Sequence, residues 1–264
     1  MKQKSPIILL TNDDGFFAEG IQAIFKSLQD QGKIFLVAPD REISATSLAL
    51  TLHHPLRVQT IDNNIFAVDG TPADCIYLAL QLLLPEKPDL ILSGINHGPN
   101  LGQQDIAYSG TVAGALQGSF LGIPSVSLSL SPDKSGYYDF AFAAGIARGI
   151  VIKMLSSSLP QGVTLNINIP PPPFREFKLV KLGQKRYHPE ILTKKDPRGR
   201  TYYWIGTGTP RAEGDDESDV KVIEKGFTTV TPLHKDMTHP SILEDSCLKE
   251  IFNELSETLK NRNK

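Results

Sequence analysis

Cysteine, long apolar runs and an excess of either charge are scarce in this sequence, and each shortage removes a class of protein. Two cysteines, Cys75 and Cys247, cannot frame a disulfide scaffold, and their spacing matches no metal site, so both are expected as reduced thiols. The longest apolar stretch, Ile76 to Leu84, is broken by Gln81 and falls far below the ~20 residues of a membrane span. Behind Met1-Lys2-Gln3-Lys4, the apolar run Ile7 to Leu10 is shorter than the roughly 7–15 residues of a signal-peptide core. The expectation is a soluble, cytoplasmic protein with no membrane partner. Lys+Arg 27 against Asp+Glu 29 leaves a net charge of −2. That balance argues against a broad basic surface for duplex nucleic acid, while a local anion site stays open.

Several chemical signatures are missing as well. No G-x-x-x-x-G-K-[ST] phosphate loop occurs, and no G-x-G-x-x-G follows the first strand. A G-x-S-x-G elbow and an H-E-x-x-H helix are equally absent. Neither cysteine is placed as a nucleophile, since Cys75 falls within an apolar helix and Cys247 beside the last one.

What is present is a 264-residue chain, 40% apolar, long enough to bury about three-quarters of its unfolded surface. Its first 130 residues alternate strand and helix signals. Ile7 to Leu10 and Ile34 to Val37 are apolar on successive residues, as strands buried on both faces require. Between them, Ile21, Ile24, Phe25 and Leu28 repeat at helical spacing. Thr71-Pro72-Ala73-Asp74 combines an N-cap, a first-turn proline and an acid at the third position, which predicts a helix running to about Leu84. Leu90 to Leu92 reads as a short strand followed by a polar loop, Ser93 to Gln104. Ser109 caps a small-residue helix to about Gly118, and Pro124 to Leu130 is another strand. Thr51 to Val68, broken at Asp62-Asn63-Asn64, reads as an antiparallel hairpin.

The expected fold class is α/β, a Rossmann-like three-layer core with a mainly parallel sheet. Tyr138 to Leu155 predicts a helix and Val163 to Ile169 a strand, cut off by Pro170 to Pro173. Beyond them, Phe177 to Leu182, Thr201 to Gly206 and Lys221 to Val230 read as strands, with Arg211 to Asp219 as an acidic loop. A last amphipathic helix carries Leu248, Ile251, Phe252, Leu255 and Leu259. Two regions are expected: residues 1–170 as the core with its crevice, and 171–264 as a β-rich arm for oligomerisation plus a C-terminal helix packing back on the core.

In an open α/β sheet, ligands sit beyond the carboxyl ends of the strands. The small polar clusters fall there: Asn12-Asp13-Asp14-Gly15, Asp40-Arg41-Glu42-Ile43-Ser44, Ser93 to Asn100, and Tyr108-Ser109-Gly110-Thr111 ahead of a helix. Two adjacent carboxylates are costly to bury unless a cation neutralises them, and hard oxygen donors favour Mg²⁺, Mn²⁺ or Ca²⁺ over zinc. Asn96 and Ser44 offer further oxygens. Ser109-Gly110-Thr111, at a helix N-terminus, matches an anion site. A solvated turn and an ordinary N-cap are the bland readings of the two clusters.

These loops closely resemble the SurE family of metal-dependent nucleotidases. The resemblance rests on Leu9-Leu10-Thr11-Asn12-Asp13-Asp14-Gly15, Val37-Ala38-Pro39-Asp40-Arg41, Gly70-Thr71-Pro72-Ala73-Asp74-Cys75, Ser93-Gly94-Ile95-Asn96 with Gly98, Asn100-Leu101-Gly102, Tyr108-Ser109-Gly110-Thr111-Val112, and Lys225-Gly226-Phe227 to Thr231-Pro232-Leu233. It implies a divalent metal, Mg²⁺ or Mn²⁺, held by Asp13, Asp14, Ser44 and Asn96. Asp13 and Asp14 then serve as the catalytic carboxylates, with Asn12, Ser109, Gly110 and Thr111 binding substrate. It further implies a phosphoric monoester hydrolase acting on nucleoside monophosphates, as a 5′-nucleotidase and on 3′ esters as well. A C-terminal β-hairpin arm is implied to exchange between subunits of a homodimer or homotetramer. This chain departs at Ile43-Ser44-Ala45, where the pattern has a basic residue before the serine and Gly after it. Ala45 restricts the backbone next to Ser44.

A haloacid-dehalogenase-like phosphatase is the rival enzyme class, but it needs D-x-D spacing and these carboxylates are adjacent. A non-catalytic nucleotide-binding protein is the rival outside enzymes.

Overall fold

The first strand, β1 (Ile7–Thr11), is buried on both faces, and its position explains the rest of the architecture. The computed structural model describes residues 5–157, 160–187, 190–206, 208, 211–213 and 215–262. In chain order, β1 is followed by α1 (Glu19–Ser27), β2 (Lys33–Pro39), β3 (Val58–Asp62), β4 (Ile65–Val68), α2 (Pro72–Leu78), β5 (Leu90–His97), α3 (Gly102–Tyr108), α4 (Gly110–Phe120), β6 (Ser125–Leu130), α5 (Phe140–Leu155) and β7 (Val163–Ile169). Then come β8 (Phe177–Leu179), β9 (Gln184–Arg186), β10 (Ile191–Lys195), β11 (Thr201–Ile205), β12 (Arg211–Glu213), α6 (Asp219–Glu224), β13 (Thr228–His234) and α7 (Ser246–Arg262).

Nine strands form one sheet in the order β3-β4-β2-β1-β5-β6-β7-β13-β8. The pairings from β4 through β7 are parallel, while β3 and β13 run antiparallel to β4 and β7. One layer of helices, α1 and α5, covers Ile8 and Leu10 with Ile21, Ile24, Leu28 and Phe140. The opposite layer, α2 and α4, covers the other face, where Ile7, Leu9, Phe35, Val37, Cys75 and Ile76 cluster. This is the Rossmann-like three-layer arrangement expected from the alternation. From β1 the chain moves outward to β2, whereas from β5 it moves the other way to β6. The sheet therefore splits its direction of travel between β1 and β5, and the crevice opens at such a switch point.

The local signals hold where they were strongest. Thr71 accepts from Asp74 N while Asp74 Oδ2 accepts from Thr71 N, the reciprocal cap that opens α2. The helix widens into a π turn at Ala79–Leu83 before stopping. The hairpin β3–β4 turns at Asp62 to Ile65, as its Asp-Asn-Asn break suggested.

Some stretches take a different secondary structure from the one expected. Ser93 to His97 is not loop but the end of β5, because Ser93, Asn96 and His97 pair with Ser127, Ser129 and Leu130 of β6. Gly94 takes φ +133° there, and a Cβ on it would stand 2.2 Å from the Leu128 carbonyl oxygen. Residues 102–104, read as the end of that loop, open the helix α3. Lys221 to Glu224 lies in a helix, α6, where a strand was expected. Asp219 explains this: its carboxylate accepts from Gly102 N, Gly183 N and Val220 N, anchoring the first turn through distant backbone.

The boundary at residue 170 does not coincide with an edge of the sheet, since β13 and β8 return to complete it. The hairpin β10–β11 does project as an arm, every residue of both strands being exposed. The C-terminal helix does not pack back on the core through its described apolar side chains: Leu248, Ile251 and Phe252 are 40%, 45% and 62% exposed. Both faces of the central strands are already occupied by α1, α5, α2 and α4. Leu255 and Leu259 have side chains outside the described residues. No described helix is long and apolar enough to cross a membrane.

Candidate active site

A crevice of about 1170 Å³ opens at the carboxyl ends of β1 and β5, lined by Asp13, Asp14, Ser44, Asn96, Ser109 and Tyr187 among others. The tight turn after β1 presents Asp13 inward, 5% exposed, and Asp14 at intermediate depth. Asp14 Oδ2 accepts from His97 N at 3.1 Å, which ties the end of β1 to the end of β5. Ile43 N donates to the Asp13 carbonyl at 2.8 Å, so the loop after β2 is pinned to the same turn.

Asp13 is the electrostatic centre. Burial pushes its carboxyl up to about 6, opposed by the Thr111 hydroxyl and reinforced by the negative charge of Asp14. Asp14 is also raised, chiefly by burial, with the His97 amide opposing and Glu42 adding repulsion. Among the described residues neither carboxylate takes part in an ion pair.

The Thr111 hydroxyl lies against two acceptors, Asp13 Oδ1 and, at 3.0 Å, Asn96 Oδ1. Three oxygens thus converge with a single proton among them. Asn96 directs its amide donor away, to the Gly98 carbonyl at 2.7 Å. Such an oxygen-rich, proton-poor and desolvated cluster suits a hard divalent cation. Among the described residues no three His, Cys, Asp or Glu side chains are grouped so that they could hold a metal ion, so a cation here would draw on neutral oxygens as well.

The expected substrate contacts differ in burial and in their hydrogen-bond partners. Gly110 admits Asp13 beside it: a Cβ there would stand 2.7 Å from Asp13 Cβ and 2.8 Å from Asp13 Oδ2. Thr111 is fully buried, and its hydroxyl is committed to Asp13 and Asn96. The N-terminus of α4 therefore receives the Asp13 carboxylate as its anion. Asn12 is likewise fully buried, donating from Nδ2 to the Gly15 carbonyl at 2.9 Å. Ser109 alone of the four lines the crevice. Its Oγ accepts from Val112 N at 3.1 Å, which leaves the hydroxyl proton to point elsewhere.

Ser44 lines the crevice but is exposed, and its hydroxyl donates to Glu42 Oε1 at 2.9 Å. Ala45 takes φ +59°, a left-handed conformation that favours glycine. His97 also borders the crevice, its ring 3.9 Å from that of Tyr138. Sequence reasoning missed Asp105 and Tyr187, which line the wall beside Ser109. Asp105 carried one usable signal, lying four residues before Ser109; Tyr187, in an irregular β-rich stretch, carried none.

Fold and crevice define a class: Rossmann-like α/β proteins with an acidic, oxygen-lined site at the topological switch of a parallel sheet. A family model described as Survival protein SurE matches residues 8–189. The chain belongs to this SurE family. It is 46% identical to the 5′-nucleotidase SurE of Geobacter sulfurreducens over 235 residues, 88% of this chain and 89% of that protein. It is 43% identical to the 5′-nucleotidase SurE of Vibrio vulnificus over 94% of this chain and 98% of that one. The crystal structure of the SurE protein from Aquifex aeolicus superposes with a TM-score of 0.79 at 38% identity, covering 93% of this chain and all of that one.

Proposed function

We propose that this chain is a metal-dependent phosphatase that hydrolyses nucleoside monophosphates to nucleoside and phosphate, a 5′-nucleotidase whose action on 3′ esters is open to the same assay. The observation that carries the reading is the cluster of Asp13, Thr111 and Asn96 oxygens beside Asp14 in a crevice large enough for a nucleotide. Relatives named 5′-nucleotidase, similar over most of their length, support the substrate class.

Asp13, Asp14 and Asn96 Oδ1 would hold one divalent cation, Mg²⁺ or Mn²⁺, with Ser44 Oγ free to join after releasing Glu42. When bound, such a cation would polarise a phosphoryl oxygen and lower the pKa of a water. Ser109 donates its hydroxyl proton to a non-bridging phosphate oxygen as charge redistributes there. In this reading Asp14, the more solvated of the two carboxylates, takes the proton of the attacking water. Gly110 and Thr111 act on the substrate through Asp13, the one by admitting its carboxylate and the other by orienting it.

Self-association belongs to the β10–β11 hairpin, where Tyr203, Trp204 and Ile205 are 66%, 62% and 76% exposed. A homodimer or homotetramer through this arm buries them.

Phosphate release from a panel of nucleoside monophosphates, with Mg²⁺ or Mn²⁺ and with a chelator, tests the function. Release that stops with the chelator is expected; a nucleotide that binds and is not consumed overturns the proposal.

A further inference from the structure

The wall of the crevice beside Ser109 is built around a buried ion pair that the phosphatase chemistry does not use. Ser109 N donates to the Asp105 carbonyl at 2.8 Å, so Asp105 sits one helical turn, about 5.4 Å, from the serine. Its carboxylate side chain is 8% exposed and accepts from Lys185 Nζ at 2.5 Å, Tyr187 OH at 2.6 Å and Leu101 N at 3.1 Å. The Lys185 side chain is 14% exposed, and its ammonium lies 5.2 Å from the centre of the Tyr187 ring. With Lys185 neutralised by Asp105, the described residues lining this wall offer no free cation to a phosphate. The wall offers instead an aromatic ring fixed at its hydroxyl end, with Ile205 of the arm's root lining the same crevice.

We infer that Tyr187 receives the base of the nucleoside monophosphate by stacking, and that Asp105 and Lys185 are positioning residues that hold its ring in place. The inference rests on the proposed nucleotidase reading, in which the phosphate lies at Ser109 and Asp13 and the nucleoside extends one helical turn away. Since the Tyr187 hydroxyl is committed to Asp105, the ring registers the presence of a base and not its identity, because every base has a π face. The root of the arm thereby contributes to substrate binding as well as carrying the exposed hairpin.

The test measures binding without turnover, by calorimetry of a nucleoside 5′-phosphonate and, separately, of inorganic phosphate, both with Mg²⁺. Tyr187→Ala and Tyr187→Leu are expected to weaken phosphonate binding roughly tenfold and leave phosphate binding unchanged. Tyr187→Phe should stay within about threefold of the unaltered chain, since the ring remains. Lys185→Met should lose affinity for the phosphonate only, and Lys185→Arg should restore it. Phosphonate binding by Tyr187→Ala and Tyr187→Leu equal to that of the unaltered chain overturns the inference. So does an equal loss for phosphonate and phosphate, or a selective loss in His97→Ala instead. Absence of phosphate release by the unaltered chain, with phosphonate binding intact, counts against the nucleotidase reading alone.

Discussion

Thr111 donates its hydroxyl proton to the carboxylate of Asp13, 98 residues away in the chain. This bond opposes the cost of burying Asp13 and fixes which of its oxygens remains free. Thr111→Val keeps the shape and removes the donor. Metal affinity is expected to fall roughly 10- to 100-fold, the usual consequence of losing a partner behind a ligand. Titration of activity and of thermal stability with Mn²⁺ measures it; an unchanged midpoint would falsify the role given to Thr111.

Asp13 makes the metal-free fold sensitive to pH. Its folded pKa, about 6, lies above the ordinary 3.8, so the folded state binds a proton more tightly than the unfolded one. Stability that depends on this proton is present below the ordinary value and lost as pH rises through about 6. With chelator, Tm should therefore rise on acidification from about pH 7 to about pH 5. With saturating Mn²⁺ the trend should flatten or reverse, because the cation requires the charged form. Asp13→Asn should abolish turnover and flatten the chelated profile while raising its Tm near neutrality, as removal of an unpaired buried charge predicts. A chelated Tm that falls from pH 7 to 5 sinks the assignment.

Ala45 stands at φ +59°, a left-handed conformation that costs a residue with a Cβ roughly 1–2 kcal/mol. Ala45→Gly is expected to raise Tm by about 2–4 °C for a chain of this size, less whatever the added freedom of the unfolded state removes. Scanning calorimetry decides it, and a clear drop in Tm would show that the loop is not strained.

The hairpin predicts the assembly state. Replacing Tyr203 and Trp204 together with serine removes two exposed aromatic side chains and leaves the β10–β11 backbone pairing in place. Light scattering should then report a smaller species than the unaltered chain. An identical mass for both would move the interface elsewhere, with the exposed Leu248, Ile251 and Phe252 of α7 as the next surface.

Some of this was legible from residues close together in the chain. The Thr71–Asp74 cap, the Ser109 cap of α4 and the unbroken apolar run of β1 depend on neighbours within four positions. The polar clusters at strand ends marked the crevice because parallel strands bring their carboxyl ends to one edge. By itself the sequence determined the α/β class, the family and the residues around which the chemistry gathers.

What each of those residues does was decided by contacts across the chain. Gly110 and Thr111 read locally as a phosphate cradle, and only the fold brings Asp13, from the end of β1, against the same two residues. Val220, Val222 and Ile223 suit strand or helix equally, and the bonds from Gly102 and Gly183 to Asp219 settle the choice. Tyr187 becomes part of the site only because Asp105, in a different element, accepts its hydroxyl. A hydrogen bond or a close approach between residues tens of positions apart leaves no local pattern, since its energy depends on where the whole sheet places both partners.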